Sequence, residues 1–237
     1  MPLGCYREFA PAARLRQWIE CLWVQSPPVA ANLVLPDTCS DVIFSRSGGL
    51  RLVGTMTRAL PVDASREAIL GVRFHPGMIR AFFGIPASEI TDRVLPLDKT
   101  REESERLCDC ESELAMLRLL ESKLAPHSLL SPVQRAIRYL GATGGTERVS
   151  TVCRLAGLSD RQFRRRCLEE TGVSPKHLAR ISRFRRACLH IRGRNPEWAM
   201  LAAELGYFDQ AHLIHDFREF SGFTPDRFLQ YRLSKLP

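Results

Sequence analysis

Apolar positions recur three and four residues apart through the second half of the chain, which predicts a succession of helices. Val133, Ile137 and Leu140 mark a helix over Pro132–Gly141. Val149–Ala156 and Asp160–Thr171 follow, the latter carrying Phe163 and Cys167 four apart on its inner face. Leu178, Ile181, Phe184, Ala187 and Cys188 give a long helix over Pro175–Ile191. Glu197–Leu205, Gln210–Phe220 (Leu213 and Phe217 inward) and Pro225–Leu233 complete an all-α half.

The first hundred residues follow a different rhythm. Short apolar runs at Cys21–Val24, Asn32–Leu35, Asp41–Ser45, Leu50–Gly54 and Ala68–Phe74, separated by turns rich in Pro, Gly and Asp, predict strands. Pro11–Leu22 is expected as a first helix, with Leu15, Trp18, Ile19 and Leu22 on one face. His75-Pro76-Gly77 breaks the last strand, and Met78–Phe83 reads as a short helix ending at Gly84. Arg101–Leu124 reads as a charged amphipathic helix, with Leu107, Cys110, Leu114, Leu117 and Leu124 at spacings of three, four and seven. It packs on its own domain or pairs with a second copy. Glu121 interrupts its apolar seam, and about two heptads is short for a coiled coil.

The helical half says the same thing twice. Leu155–Pro175 (LAGLSDRQFRRRCLEETGVSP) and Leu205–Pro225 (LGYFDQAHLIHDFREFSGFTP) align fifty positions apart: Leu155 with Leu205, Ser159 with Asp209, Phe163 with Leu213, Cys167 with Phe217, Gly172 with Gly222, Pro175 with Pro225. Such a period marks a duplicated supersecondary unit. Each copy reads as a helix-turn-helix. Ser159 or Asp209 stands as N-cap of the second helix, Gly172 or Gly222 suits a left-handed C′ position, and Ser174-Pro175 or Thr224-Pro225 starts a further helix. The expected architecture is an α+β amino-terminal domain over 1–100, built as a small β-rich, barrel-like sheet plus helices. An amphipathic helix and linker (Pro126–Ser131) fill 101–130. An all-α domain over 131–237 holds the two motifs, at about 149–171 and 197–220.

Charge sharpens this division. Residues 131–237 carry 19 Lys and Arg against 10 Asp and Glu, whereas residues 1–130 carry 15 against 16, so the whole +8 excess comes from the half with the repeat. A basic excess confined to that half is what phosphate contact requires. With 45% hydrophobic residues the chain should be globular, and no apolar run approaches the roughly 18 residues of a membrane span. The amino terminus has charges where a signal peptide needs an apolar core, so a cytoplasmic protein is expected.

The stretch LAAELGYFDQAHLIHDFREFSGFTPDRF (Leu201 to Phe228), with its counterpart in the first copy, resembles the DNA-binding domain of AraC/XylS-type transcriptional regulators. The resemblance covers about Ser131 to Leu233. It implies two helix-turn-helix motifs joined by a long helix, with both recognition helices entering successive major-groove segments about one turn (~34 Å) apart on one face of a bipartite, non-palindromic site. It implies double-stranded DNA and RNA polymerase as partners, no enzyme activity and no cofactor. A small-molecule effector or a homodimer would act at the amino-terminal domain. Gly71–Thr100, with Leu35–Phe44, looks like an amino-terminal domain of unassigned function found in front of this DNA-binding domain, and resembles a shrunken relative of the β-barrel sensor domains of longer members. Cys167 departs from the family's aromatic residue, and Trp198 and Met200 make an unusual start to the second scaffold helix.

Carried over residue by residue, the family pattern places Arg161, Gln162, Arg164 and Arg165 against bases in the first motif, and Gln210, Ala211, His212 and His215 in the second. Arg suits guanine O6/N7 and Gln suits adenine N6/N7, so the first motif should contribute more affinity. His215 stands where the family often has Arg, and His212 caps or packs within its motif as readily as it reads a base. Phosphate contacts fall to Ser174, Lys176, Arg218, Thr224 and Arg227, with Arg166 either on phosphate or paired with Glu170.

Other chemistry is sparse. There is no glycine-rich phosphate loop, HExxH or nucleophile elbow. Eight cysteines without an export signal point to reduced thiols, with Cys153, Cys167 and Cys188 in the core. Cys108 and Cys110, two apart on a predicted helix, diverge and disfavour a shared metal. Cys5, Cys21 and Cys39 have no spacing that requires one, and no metal is expected. His75 lines a pocket or, more simply, is hydrogen-bonded in a turn. Two alternatives to a plain regulator are a thiol- or metal-responsive regulator and a cysteine-based DNA alkyl-transfer protein.

Overall fold

The structure is a computed structural model that describes residues 6–97, 110, 112–127, 129–191 and 196–233. The amino-terminal domain is built on strands β1 (Tyr6–Phe9), β2 (Ile19–Gln25), β3 (Asn32–Val34), β4 (Ser40–Ser45), β5 (Gly49–Val53), β6 (Leu60–Val62), β7 (Ile69–Phe74) and β8 (Val94–Pro96). Six of them form one antiparallel sheet in the order β1-β2-β7-β4-β5-β8, and β3 pairs with β6 separately. The sheet is open, because β1 and β8 are its two edges and do not pair with each other. The barrel-like closure expected from the sequence is corrected to this extent.

The central strands explain the largest departure from expectation. Pro11–Leu22 is not a helix: a 3-10 turn over Ala13–Leu15 leads into β2. Leu15, Trp18, Ile19 and Leu22 fit a helical face, but IECLWVQ also reads as the run of a strand covered on both sides. Its partners decide the matter. Trp23 lies opposite Gly71 in the β2–β7 register, and a Cβ on Gly71 would come within 2.1 Å of the indole. Glycine there leaves room for the ring, whose Nε1 donates to Asp41 Oδ1 at 2.7 Å. β1, β6 and β8 were not expected. Pro61 and Pro96 mask the latter two, as proline does in edge positions.

Helices α1 (Arg80–Phe83), α2 (Ala87–Ile90) and α3 (Glu113–Ser122) cover the sheet. Met116, Leu117, Leu120 and Leu124 join Leu22, Val42, Phe44, Val72 and Phe74 in one buried core. The stretch 101–109 of the expected amphipathic helix, with Leu107 and Cys108, lies outside the described residues. Within the described helix Glu121 points inward at 4% exposure, on the seam where the spacing places it, whereas Leu114, expected on the same face, points outward at 46%. Glu121 accepts the Ala12 amide (2.5 Å) and Arg118 Nη1 (2.9 Å), so it ties α3 to the chain entering the sheet. The apolar face of α3 therefore packs on its own domain.

Seven helices follow: α4 (Pro132–Ala142), α5 (Val149–Leu155), α6 (Asp160–Thr171), α7 (Pro175–His190), α8 (Trp198–Glu204), α9 (Gln210–Ser221) and α10 (Pro225–Leu233). Ser131 and Ser159 form reciprocal capping boxes with Gln134 and Gln162, and Asp209 accepts the His212 amide. Gly172 and Gly222 end α6 and α9 at φ +76° and +78°, a conformation that costs a side chain but not glycine. Leu178 and Ala179 of α7 belong to one core with Val133, Ile137, Phe163 and Cys167. Its later residues Ile181, Phe184, Ala187 and Cys188 belong to a second core with Leu201, Leu213, Phe217 and Phe228. One helix thus carries both motifs. Cys167 is fully buried, its Sγ 3.6 Å from the Val173 carbonyl, so the first core is repacked around a small side chain. Trp198 finds its role across the second motif, donating to Asp226 at 2.7 Å. Among the described residues no helix is long and apolar enough to cross a membrane.

The sheet domain and the helices meet over polar contacts. Gln134 Nε2 donates to the Gly77 carbonyl (3.1 Å) and Arg138 to the Gln17 carbonyl (2.8 Å). Arg185 of α7 pairs with Glu20 of β2 at 2.8 Å. Burial pushes the Glu20 carboxyl up, but Arg185 and the Cys39 thiol outweigh it and hold it below its ordinary range. A carboxyl with a lowered folded value stabilises above its unfolded value, about 4.3, and that contribution fades as pH falls through the lowered value. Glu20→Gln is expected to cost about 0.5–1 kcal/mol at pH 7, modest because Arg185 is partly exposed, and to flatten this part of the acid limb. Urea titrations of both proteins from neutral to acid pH measure it; parallel curves would show that Glu20 contributes nothing.

Candidate nucleic-acid interface

In α6 the burial of Phe163 and Cys167 turns Arg161, Gln162, Arg164, Arg165 and Arg166 to solvent. Arg161 and Arg165 lie one turn apart on this outer face. Arg165 meets Glu169 only at 3.9 Å, with its side chain 70% exposed, so its guanidinium stays available. Gln162 is partly committed. Its Oε1 accepts from the Ser159 amide (3.1 Å) and hydroxyl (3.0 Å) as half of the capping box. Glu170 does not pair with Arg166. It is turned toward Arg80 (3.4 Å) and Gln134 (3.1 Å) of the opposite face.

The second motif presents less charge. Gln210 and Ala211 are exposed at the start of α9, while His212 is half-buried, its ring edge-on to Tyr207 with centroids 5.3 Å apart. His212 thus packs within its motif. His215 is exposed but has Nδ1 3.3 Å from Arg180 Nη2. Arg180 is the residue the sequence reading missed. From α7 it reaches Asp216 Oδ1 through Nε (3.0 Å) and Nη2 (2.6 Å), bonds both oxygens of Glu219, and lies over the Phe220 ring at 5.1 Å. Burial raises the Glu219 carboxyl, and its bond to Arg180 more than reverses that. Asp216 is fully buried, although its counterpart in the repeat, Arg166, is exposed. That exchange of sign at matching positions was the available clue.

Lys176, Arg218 and Arg227 are exposed beside the motifs. Ser174 Oγ accepts the His177 amide (3.3 Å) and Thr224 Oγ1 the Arg227 amide (3.5 Å), so both cap the helices that follow the motifs. Phe208, just before the N-cap of α9, is 93% exposed and was also missed, because its counterpart Leu158 is an ordinary partly buried residue.

The alternative chemistries find little here. Cys39 and Cys167 are fully enclosed and Cys21 nearly so. Burial pushes Cys21 and Cys167 up to about 12 and Cys39 well above its ordinary value, so these thiols are protonated and unreactive. Cys5 and Cys108 lie outside the described residues. His215, Asp216 and Glu219 bring possible metal ligands together, but Arg180 already binds both carboxylates there, and a cation would have to displace it. His75 sits in a turn, its amide on the Trp18 carbonyl at 2.8 Å. Burial, with Arg138 nearby, lowers its pKa.

Residues 152–231 match a family described as a helix-turn-helix domain, and residues 7–96 match a domain of unknown function (DUF6597). No curated protein matches the chain. Among solved structures it is similar to the DNA-binding domain of AdpA in complex with a target DNA, at 21% identity and TM-score 0.41 over 45% of this chain and 97% of that one. It is similar to ToxT from Vibrio cholerae O395 at 11% identity and TM-score 0.46, over 91% and 97%. The C-terminal domain of AraT, a response regulator from Geobacillus stearothermophilus, follows at 25% identity and TM-score 0.40, over 46% and 91%. With its doubled, capped motif and the domain match, the segment 152–231 is a helix-turn-helix domain of the AraC type.

Proposed function

We propose that the protein binds a bipartite, non-palindromic DNA site through α6 and α9, one in each of two successive major-groove segments, and regulates transcription from there. The observation that carries this reading is the common geometry of the two helices. Each is buried along one side in its own core and leaves its amino-terminal half outward, with four exposed arginines on the first. Helix N-termini and outward side chains of this kind reach base edges in the major groove. Arg161, Gln162, Arg164 and Arg165 read bases from the first motif. Gln210, Ala211 and His215 read them more weakly from the second, with His212 there chiefly for packing. Arg166, Ser174, Lys176, Arg218, Thr224 and Arg227 hold phosphates. To these we add Phe208, whose exposed ring suits a thymine methyl.

RNA polymerase is the partner this reading calls for, and the cytoplasm its place. A small effector or a second copy would act on the amino-terminal domain. There a cavity of about 240 Å³, floored by Phe44, Leu70 and Met116 and rimmed by Arg46, Arg66 and Glu67, offers room for a small molecule.

Selection of the purified protein on a randomised duplex pool at two salt concentrations tests the proposal. Two recovered half-elements about one turn apart are expected, and Phe208→Ala should lose a thymine at the edge of the second. Uniform weak binding with a steep salt slope would instead make the basic half a non-specific anchor.

A further inference from the structure

We infer that the amino-terminal domain sets the half-site spacing the protein accepts, by holding both reading helices at their carboxyl-terminal ends. The inference rests on the bipartite reading above. The last carbonyls of a helix have no partner within it, and here the sheet domain supplies partners to both. Thr91 Oγ1, following α2, shares its one hydrogen between the Ala87 carbonyl at 3.0 Å and, at 3.2 Å, the carbonyl of Gly172, the residue that ends α6. The backbone amide of Ala59, before β6, donates to the carbonyl of Phe220 in the last turn of α9 at 2.9 Å. Glu170 and Phe220 are matching positions of the fifty-residue repeat, so one domain grips the same place in each copy.

Side chains reinforce the first grip. Arg80 of α1 pairs with Glu170 at 3.4 Å and Glu169 at 3.6 Å. Gln134 bridges Glu170 and the Gly77 carbonyl, at 3.1 Å to each. The approach is close: a Cβ on Gly172 would lie 2.0 Å from Thr91 Oγ1 and 3.0 Å from the Ala87 carbonyl. Leu35, next to β3, packs against the second helical core. α7 alone would leave the two motifs able to bend relative to each other. A sheet domain bonded to the far ends of both reading helices removes that freedom while leaving their near ends open. Changing the distance between half-elements by one base pair displaces and rotates the second by about a tenth of a turn, which a fixed pair of helices cannot follow. Arg80 and Thr91 are therefore specificity residues that need touch no DNA.

The test uses the full chain and duplexes carrying the selected half-elements at the preferred spacing and at one base pair shorter or longer. Wild type is expected to discriminate between neighbouring spacings by about tenfold, the scale of a mispositioned contact. Arg80→Gln/Thr91→Val is expected to narrow this to about two- to threefold, with its circular dichroism and its affinity at the preferred spacing little changed. Thr91→Ser, which keeps the hydroxyl, should retain the wild-type ratio, whereas Thr91→Val alone should lose part of it. A folded double variant that still discriminates tenfold would overturn the inference and leave the bipartite reading standing. Wild type that binds every spacing equally would overturn both.

Discussion

Substituting Arg180 by methionine is expected to destabilise the chain by about 3–5 kcal/mol, the scale of breaking a buried ion pair from one side. Asp216 is fully buried, and its Oδ1 takes two bonds from the guanidinium. Among the described residues its Oδ2 has no hydrogen-bond partner. Methionine keeps an unbranched apolar stem and removes the guanidinium, with its bonds to Asp216 and Glu219 and its place over Phe220. That leaves a desolvated carboxylate with only the His215 and His212 imidazoles nearby, at 3.7 and 4.0 Å. Arg180→Met/Asp216→Leu should recover most of the loss, since removing both charges also removes the cost of burying them. Urea unfolding followed by circular dichroism measures each variant. A loss below about 1 kcal/mol for the single substitution, the range of an exposed pair, would mean that water reaches Asp216 and that the pair does not hold α9 in place.

Specific DNA affinity is expected to fall by roughly two to four orders of magnitude when Arg161 and Arg165 are both replaced by alanine, at about 1–3 kcal/mol for each base contact. Both side chains are exposed and sit one turn apart, so stability should change by no more than about 0.5 kcal/mol per residue. Arg166→Ala is the control. As a phosphate contact it should weaken binding evenly across sequences and lower the salt slope by about one. Competition between the selected duplex and its scrambled version separates the two behaviours. If the double variant keeps its preference for the selected site, α6 does not read bases.

The helical half was legible because independent local signals agreed. The apolar period, the caps at Ser159 and Asp209 and the terminal glycines at 172 and 222 pointed to the same helices, and each lies within one turn of the residue it governs. The sheet was less legible because its deciding contacts are distant in sequence. Whether Leu15 to Leu22 forms helix or strand depends on Gly71 making room for Trp23, and no window around residue 20 contains that fact. What holds a carboxylate on the apolar seam of α3 at Glu121 was hidden for a similar reason. The Ala12 amide that Glu121 caps lies 109 residues away in the chain. At the candidate interface the exposed arginines could be read from the helical period alone. The Arg180–Asp216 contact, spanning 36 residues, needed the packing of α7 against α9.

The two copies of the repeat share a backbone plan and differ in electrostatics. Arg161, Arg165 and Arg166 correspond to Ala211, His215 and Asp216, and the last of these is turned inward beneath Arg180. Along a duplex held by both, the protein would have a strongly cationic head and a nearly neutral tail. Reversing the order of the half-elements then produces a different site, not the same one seen from the other side. A single chain bound in this way has a direction, and can favour the gene on one flank over the gene on the other without a second subunit to break the symmetry.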